Sequence, residues 1–302
     1  MFNIIRKRKY WYIISGILAS LAIAAIAFWG LNLGLDFKGG SILTLNISSK
    51  PQPSEIQEQL KDLNIPSLNV RTAGNDQIII RSGELSREQK TLVETRVNER
   101  FGIFTEESFQ TIGPTVSQDL SRKAIIAVIL ASIGIIIYIA IAFRGVPKPA
   151  NSWRFGVCAI IALLHDLLIV TGMAAVLGHY FAWMEIDSLF ITALLTIMGF
   201  SVHDTIVVFD RLRENLKRNP GSNFETIANE SVIQTLSRSI NTSVTTMIVL
   251  LSLFLIGGES IKGFVFTLLF GILIGTYSSI LNATPLLVTW QNFITNSKAK
   301  NK

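Results

Sequence analysis

Charge is scarce in this chain. Only 16% of its 302 residues are Asp, Glu, Lys or Arg, against about 25% in a typical soluble domain. That deficit argues against a soluble enzyme and against disorder. Cysteine is nearly absent: Cys158 stands alone, so an intrachain disulfide and a cysteine metal cluster are excluded. Aromatics make up 9%, so the apolar excess is aliphatic Ile, Leu, Val and Ala. The sequence contains no G-x-x-x-x-G-K-[ST] and no H-E-x-x-H, the signatures of a phosphate loop and a zinc hydrolase. Weak alternating segments of about ten residues, the mark of a membrane β-barrel, are also missing. Nothing calls for a cofactor, a metal or a nucleic acid. Work done by this chain must draw on a transmembrane gradient or on a partner.

What is present is long apolar runs. A spanning helix needs about 20 mostly apolar residues. Six stretches qualify, near residues 10–31, 124–143, 155–177, 188–209, 240–256 and 263–290, the last expected to end near Pro285. Alternating their ends collects fourteen basic residues on one side: Arg6, Lys7, Arg8, Lys9, Arg144, Lys148, Arg154, Arg211, Arg213, Lys217, Arg218, Lys298, Lys300 and Lys302. The short loops of the other side hold only Lys262. Positive residues gather inside, so both termini are expected in the cytoplasm and the polar stretch after the first helix outside. The basic N-terminus can rest on anionic membrane lipid. The first run is longer than the 7–15 apolar residues of a signal peptide, so a retained helix is expected.

The expected organisation is a cytoplasmic N-terminus and first helix over 1–34, an extracytoplasmic domain over 35–120, helices two to six over 121–290 and a basic cytoplasmic tail over 291–302. In the outside segment, 41–47 alternates as a strand and 53–63 reads as a helix with Ser54 as its cap. Segments 68–71 and 77–81 flank Gly74-Asn75-Asp76 as a hairpin. A helix over 86–101 turns Leu92, Val93, Val97 and Phe101 inward, and 108–112 closes the series. The order β-α-β-β-α-β predicts a ferredoxin-like α+β domain. It shows no catalytic constellation.

Ionisable residues at membrane depth are costly and need a reason. Asp204 lies six residues before Asp210, about 9 Å deeper than the cytoplasmic interface. A carboxylate there must protonate, pair with a base or face water. Arg238, at the expected start of the fifth helix, is the natural counter-charge; the bland reading makes it an interfacial positive-inside residue. Asn241, Thr242, Ser243, Thr245 and Thr246 form a polar face that lines a water path or bonds between helices, inside the bundle on either reading. His165, Asp166 and His203 are weaker candidates. A buried His–Asp pair can relay protons, but adjacent helical positions diverge by about 100°, so a packing role is expected. Gly199, Gly271 and Gly275 offer small surfaces for close packing, the last two spaced as G-x-x-x-G.

Four motifs carry a family resemblance. They are Gly34-Leu35-Asp36-Phe37-Lys38-Gly39-Gly40, Gly113-Pro114-Thr115-Val116, the run from Val202-His203-Asp204-Thr205-Ile206-Val207-Val208 to Asn215, and Ser237-Arg238-Ser239-Ile240-Asn241-Thr242. With them the chain resembles the SecD/SecF family of the bacterial preprotein translocase, in the resistance–nodulation–division (RND) superfamily. The length and the single inserted domain favour the SecF side. The resemblance implies an α-helical polytopic membrane protein: six transmembrane helices, half of an RND-type bundle, with one extracytoplasmic ferredoxin-like domain. It implies a non-enzymatic subunit that pairs with SecD and uses the proton-motive force to draw preproteins from the SecYEG channel, in the bacterial cytoplasmic (inner) membrane. An Asp and an Arg implicated in proton passage map onto Asp204 and Arg238. His203, Asp210, Asn241, Thr242, Thr245 and Asp166 are secondary candidates. His203 departs from the small polar residue frequent at that place. Two other classes fit in part: a stand-alone RND-type exporter of lipid or small molecules, and an intramembrane aspartyl protease, which needs Asp204 and Asp166 to share a site.

Overall fold

The structure, a computed structural model, describes residues 3–73, 77–147 and 151–300. The Gly74-Asn75-Asp76 turn, Lys148 and Lys302 lie outside the described residues. The chain divides into two compact units, Leu33–Ile125 and Met1–Asn32 with Ile126–Lys302.

The smaller unit opens with a short helix α2 (Leu35–Lys38). It continues through β1 (Gly40–Ile47), α3 (Pro53–Leu60) with a 3-10 turn (Lys61–Leu63), β2 (Asn69–Ala73), β3 (Gln77–Ser82), α4 (Arg87–Phe101) and β4 (Phe104–Ile112). Among the described residues the sheet has four strands in the order β2-β3-β1-β4, each neighbouring pair antiparallel. This is the ferredoxin-like arrangement. Alternation along β1 sends Leu43, Leu45 and Ile47 to one face, where Ile78 and Ile80 of β3 join them. Ile56 and Leu60 of α3 and Val93 and Val97 of α4 close the core.

Three details differ from the sequence expectation. Leu92 is exposed, because the inward row of α4 is Val93–Val97, one helical step away. Gln52 rather than Ser54 caps α3, in a reciprocal capping box with Glu55, since Pro53 takes the first helical position. β4 starts at Phe104, and a register shift opposite Thr44/Leu45 leaves Glu107 outside the paired backbone register, which hides the alternation. The double glycine is required by geometry. Gly39 and Gly40 have φ of +70° and +114°, and a Cβ on Gly40 would lie 2.3 Å from the Ser82 carbonyl oxygen.

The larger unit is a helical bundle. Six helices among the described residues are long and apolar enough to cross a membrane, which makes this a multi-pass membrane protein. They are α1 (Arg8–Trp29), α5 (Pro114–Ala142), α6 (Ser152–Tyr180), α7 (Ser188–Arg218), α8 (Phe224–Ile256) and a composite of α9 (Glu259–Ser278), a π-helical turn (Ser279–Ala283) and α10 (Thr284–Lys300). The composite does not end near Pro285. Proline lacks an N–H and clashes with the carbonyl four residues back; the widened π turn sits at that place and lets the helix continue. α8 starts well before Ile240, with the Asn223 side chain accepting from the N–H groups of Glu225 and Thr226. Its polar early turns are invisible to hydropathy.

Small residues set the packing. A Cβ on Gly172 of α6 would lie 2.4 Å from Ala22 Cβ of α1. On α9, Gly271 faces Ile197 and Gly275 faces Ser201, both on α7, and a Cβ on Gly275 would meet Ser201 Cβ at 2.9 Å. The G-x-x-x-G pair therefore seats two successive turns of α7. Gly199, expected to pack, faces open space.

Candidate functional site

Helical geometry explains how Asp204 is held. At 100° per residue, Ile197, Ser201, Thr205, Val208 and Leu212 fall on one arc of α7, and all are buried. Asp204 stands at the edge of that arc, 3% exposed. The opposite arc carries Thr192, Thr196, Gly199, His203 and Asp210, all exposed. The carboxylate thus sits at the border between the packed face of α7 and a free face of small and polar residues.

The group facing Asp204 from the next helix is Ser239 of α8. Asp204 Oδ2 and Ser239 Oγ are both buried without a hydrogen-bond partner. A hydroxyl suits either protonation state: it donates to a carboxylate and accepts from a carboxylic acid. Sequence reasoning passed over Ser239, although it stands beside Arg238 in the quoted motif; a serine between polar residues gives no sign of which neighbour faces inward.

Arg238 does not pair with Asp204. Among the described residues no ion pair joins the two, and Arg238 is exposed. It is not at the start of its helix either, because α8 begins at Phe224. Its azimuth still points toward α7. Arg238 continues the row of Ser231 and Gln234, seven and four residues on respectively, and both of those accept hydrogen bonds from Asn215 of α7. Arg211 also donates to Gln234. Arg238 directly precedes Ser239, which faces Asp204, so along the axis it stands close to the level of Asp204, about 1.5 Å from that of Ser239, with its side chain turned about 100° away around α8. Asn241, Thr242 and Thr245 share the exposed side of α8 with Arg238. Their face is outside the bundle of this chain, contrary to expectation. Ser243 alone of that series is buried, bonded to Thr276 of α9 at 2.5 Å. His203 and Asp210 are likewise on the free side.

Asp166 is placed quite differently. It has no exposure, and both its oxygens are engaged: Oδ1 lies 3.1 Å from His165 Nδ1, and Ser201 Oγ donates to Oδ2 at 2.7 Å. The adjacent His and Asp do meet, through their side chains, despite their divergent directions. Asp166 and Asp204 contact different partners and share no site, so the geometry of a carboxylate dyad is not formed. No group of three or more metal-ligating side chains occurs among the described residues.

Comparison with known proteins fits this architecture. Residues 93–293 match the family of the protein export membrane protein SecD/SecF, C-terminal, and residues 24–49 match the SecD/SecF GG motif. The chain belongs to the SecD/SecF family. The GG motif of the SecD/SecF family contains the Gly39-Gly40 pair whose positive φ angles begin β1. Protein translocase subunit SecF of Thermobaculum terrenum is 42% identical, covering 97% of this chain and 95% of that protein. Protein translocase subunit SecF of Anaerolinea thermophila is 42% identical with the same coverage, 97% and 95%. The crystal structure of SecDF from Thermus thermophilus, titled a translocon-associated membrane protein, superposes with a TM-score of 0.84 at 33% identity. That match covers 96% of this chain and 39% of SecDF.

Proposed function

We propose that this chain is the SecF-type accessory subunit of a Sec protein translocase, and that with a SecD-type partner it uses the proton-motive force to promote preprotein export. The observation that carries the reading is 42% identity over almost the whole length of proteins named as translocase subunits, combined with a buried carboxylate, one of its oxygens unpartnered, at the edge of a free polar face. The role is that of a coupling subunit rather than an enzyme.

A SecD-type partner follows from two facts. This chain accounts for 39% of a SecDF chain, and the rows His203–Asp210 and Arg238–Thr245 stand uncovered. Polar side chains facing hydrocarbon are costly, so a partner helix pair or a water path against them is favoured. SecYEG and the preprotein are the further partners of this reading. The basic side of the membrane is cytoplasmic and holds both termini, and 35–120 forms the extracytoplasmic domain, between 1–34 and the helices of 121–290 with the tail 291–302.

Asp204 is the proton carrier of this reading, with Arg238, next to the facing Ser239 on α8, as its movable counter-charge. When Arg238 swings toward α7, Coulomb attraction favours the carboxylate; when it withdraws, the apolar walls favour the acid. Alternating these states on the two sides of the membrane links proton passage to helix movement. The electrical driving term is about 2.3 kcal/mol per charge per 100 mV. Asp204→Asn keeps the shape and loses the titration. It should leave assembly with the partner intact and abolish gradient-stimulated release of preprotein. Arg238→Met should do similar damage. Full gradient stimulation in Asp204→Asn would sink the mechanism while leaving family membership untouched.

A further inference from the structure

We propose that His165 and Asp166 form a second proton-holding site in the bundle, which exchanges its proton through the cavity beside His165 and communicates with Asp204 along α7. The inference rests on the reading of Asp204 as the proton carrier and extends it to a second residue pair.

The geometry has three parts. The first is the pair itself. It carries one negative charge without its proton and none with it, and the proton can rest on either residue, so the two titrate as a unit. The second is access. His165 Nε2 is buried and has no partner. His165 lines a cavity of about 150 Å³ between α1, α6 and the π turn, together with Tyr12, Ser15 and Asn282. Asn282 is 8% exposed and its Nδ2 also lacks a partner. A water molecule takes about 30 Å³, so the cavity has the volume to admit water, and both orphan nitrogens are buried behind its largely apolar wall. The third is connection. Ser201 Oγ donates to Asp166, and Ser201 precedes Asp204 by three residues on α7, about 60° from it around the helix. A change of charge at Asp166 therefore acts on the turn that holds Asp204.

No lysine or arginine among the described residues enters this cluster. The titratable groups facing it are Tyr277 of α9, whose ring lies 6.3 Å from that of His165, and Tyr12 of α1, which lines the same cavity. Ser278 of α9 and Ser15 of α1 add only hydroxyls; Ser15 Oγ donates to Asn282 Oδ1 at 2.7 Å. One proton thus decides the charge of the whole cluster. A purely structural knot would be served equally well by Asn at 166, which keeps the bonds to His165 and Ser201.

The test is infrared titration of the full-length purified chain from about pH 4 to about pH 10, following the carbonyl stretch of protonated carboxyls. Asp166→Asn should remove one titrating band that Asp204→Asn leaves in place, and His165→Gln should move the midpoint of that band. Gradient-driven release should fall about tenfold in Asp166→Asn, the size of an ordinary coupling between linked sites. If the difference between parent and Asp166→Asn is flat across the range, or its midpoint ignores His165→Gln, the second site is refuted. If Asp166→Asn fails to accumulate in the membrane, Ser201→Ala decides. It keeps the carboxyl and removes one bond, so the midpoint must move, and an unmoved midpoint overturns the proposal. Survival of full stimulation in Asp204→Asn fails the primary reading instead, and the infrared result stands apart from it.

Discussion

The two units of this chain arrange polarity in opposite ways. In the ferredoxin-like unit, Leu43, Leu45, Ile47, Ile56 and Leu60 have no exposure and the charges lie outside. In the helical unit, Ser231, Ser239, Thr267, Ser278, Ser279 and Thr284 have none, while Ile13, Ile17, Ile129, Leu130 and Leu255 are more than half exposed or close to it. Water drives the first arrangement, since apolar surface gains about 25 cal/mol per Å² on leaving it. Lipid removes that drive, because hydrocarbon outside is as apolar as leucine inside. Helices in the bundle are then held by close approach, and their buried hydroxyls are satisfied by carbonyls of their own helix, as Ser231 is by Ile227 and Ser243 by Ser239. A carboxylate buried in such an interior is conspicuous for a different reason than one buried in a soluble core. Hydroxyl neighbours are plentiful, so a lone Oδ2 at Asp204 marks a position kept open, whereas Asp166 has drawn its neighbours in.

The comparison is sharpened first where packing alone holds the bundle. Gly275→Leu forces a side chain into Ser201, whose Cβ already lies within 3 Å of the added Cβ position. Overpacking costs about 1–3 kcal/mol and occasionally more, and here it separates α9 from α7 at the turn below Asp204. The expected result is loss of the folded subunit from the membrane, read by its accumulation and thermal stability. Normal accumulation would mean that lipid-facing helices tolerate displacement that a water-driven core does not.

Leu45→Ala is the matching change in the other unit. Leu45 is fully buried in the sheet core, so truncation should cost about 2–5 kcal/mol. Denaturant unfolding of residues 36–120 expressed alone measures it, and an intact transition at unchanged midpoint would refute the assigned core. Within the bundle, deleting a hydroxyl should do far less. Ser243→Ala removes a bond to Thr276, which still donates to Ile272, and the expected loss is about 0.6 kcal/mol. A loss as large as that of Leu45→Ala would show that the buried hydroxyls, and not close packing, hold the helices.

The same contrast explains what could be read in the sequence. The six apolar runs and the alternation of β1 were legible, because each obeys a local period set by its solvent. The start of α8 was not: its early turns, from Phe224, are polar, and a hydropathy window cannot see them. Azimuth was also hidden. In water an exposed Arg238 would be unremarked, whereas in a membrane bundle the side on which it falls decides whether it meets Asp204, and no periodicity of hydrophobic residues reports that when lipid-facing and buried positions are equally apolar. The contact of His165 with Asp166 depends on side-chain rotamers, which residue spacing alone does not determine.

An effect of the same small order belongs to a charge pair on the soluble unit. Lys90 of α4 lies 2.8 Å from Glu106 of β4, 3.3 Å from Glu94 and 4.7 Å from the centre of the Phe109 ring. The hydrogen bond with Glu106 holds Lys90 above the ordinary lysine value and Glu106 below the ordinary glutamate value. A depressed carboxyl contributes stability above its unfolded value, about 4.3, and loses it as pH falls through the lower folded value. A raised ammonium contributes below its unfolded value, about 10.4, and loses it as pH rises through the higher folded value. The pair therefore stabilises the domain across the neutral range, and its contribution drains away in acid and in strong base. Both partners are partly exposed, so screening limits the gain to about 1 kcal/mol at most. Lys90→Met in residues 36–120 should cost that much at neutral pH in low salt, and the difference from the parent should shrink as pH falls below the folded value of Glu106. A cost that stays constant into acid would assign the effect to the packing of the lysine stem on Phe109 and leave the charge with no role.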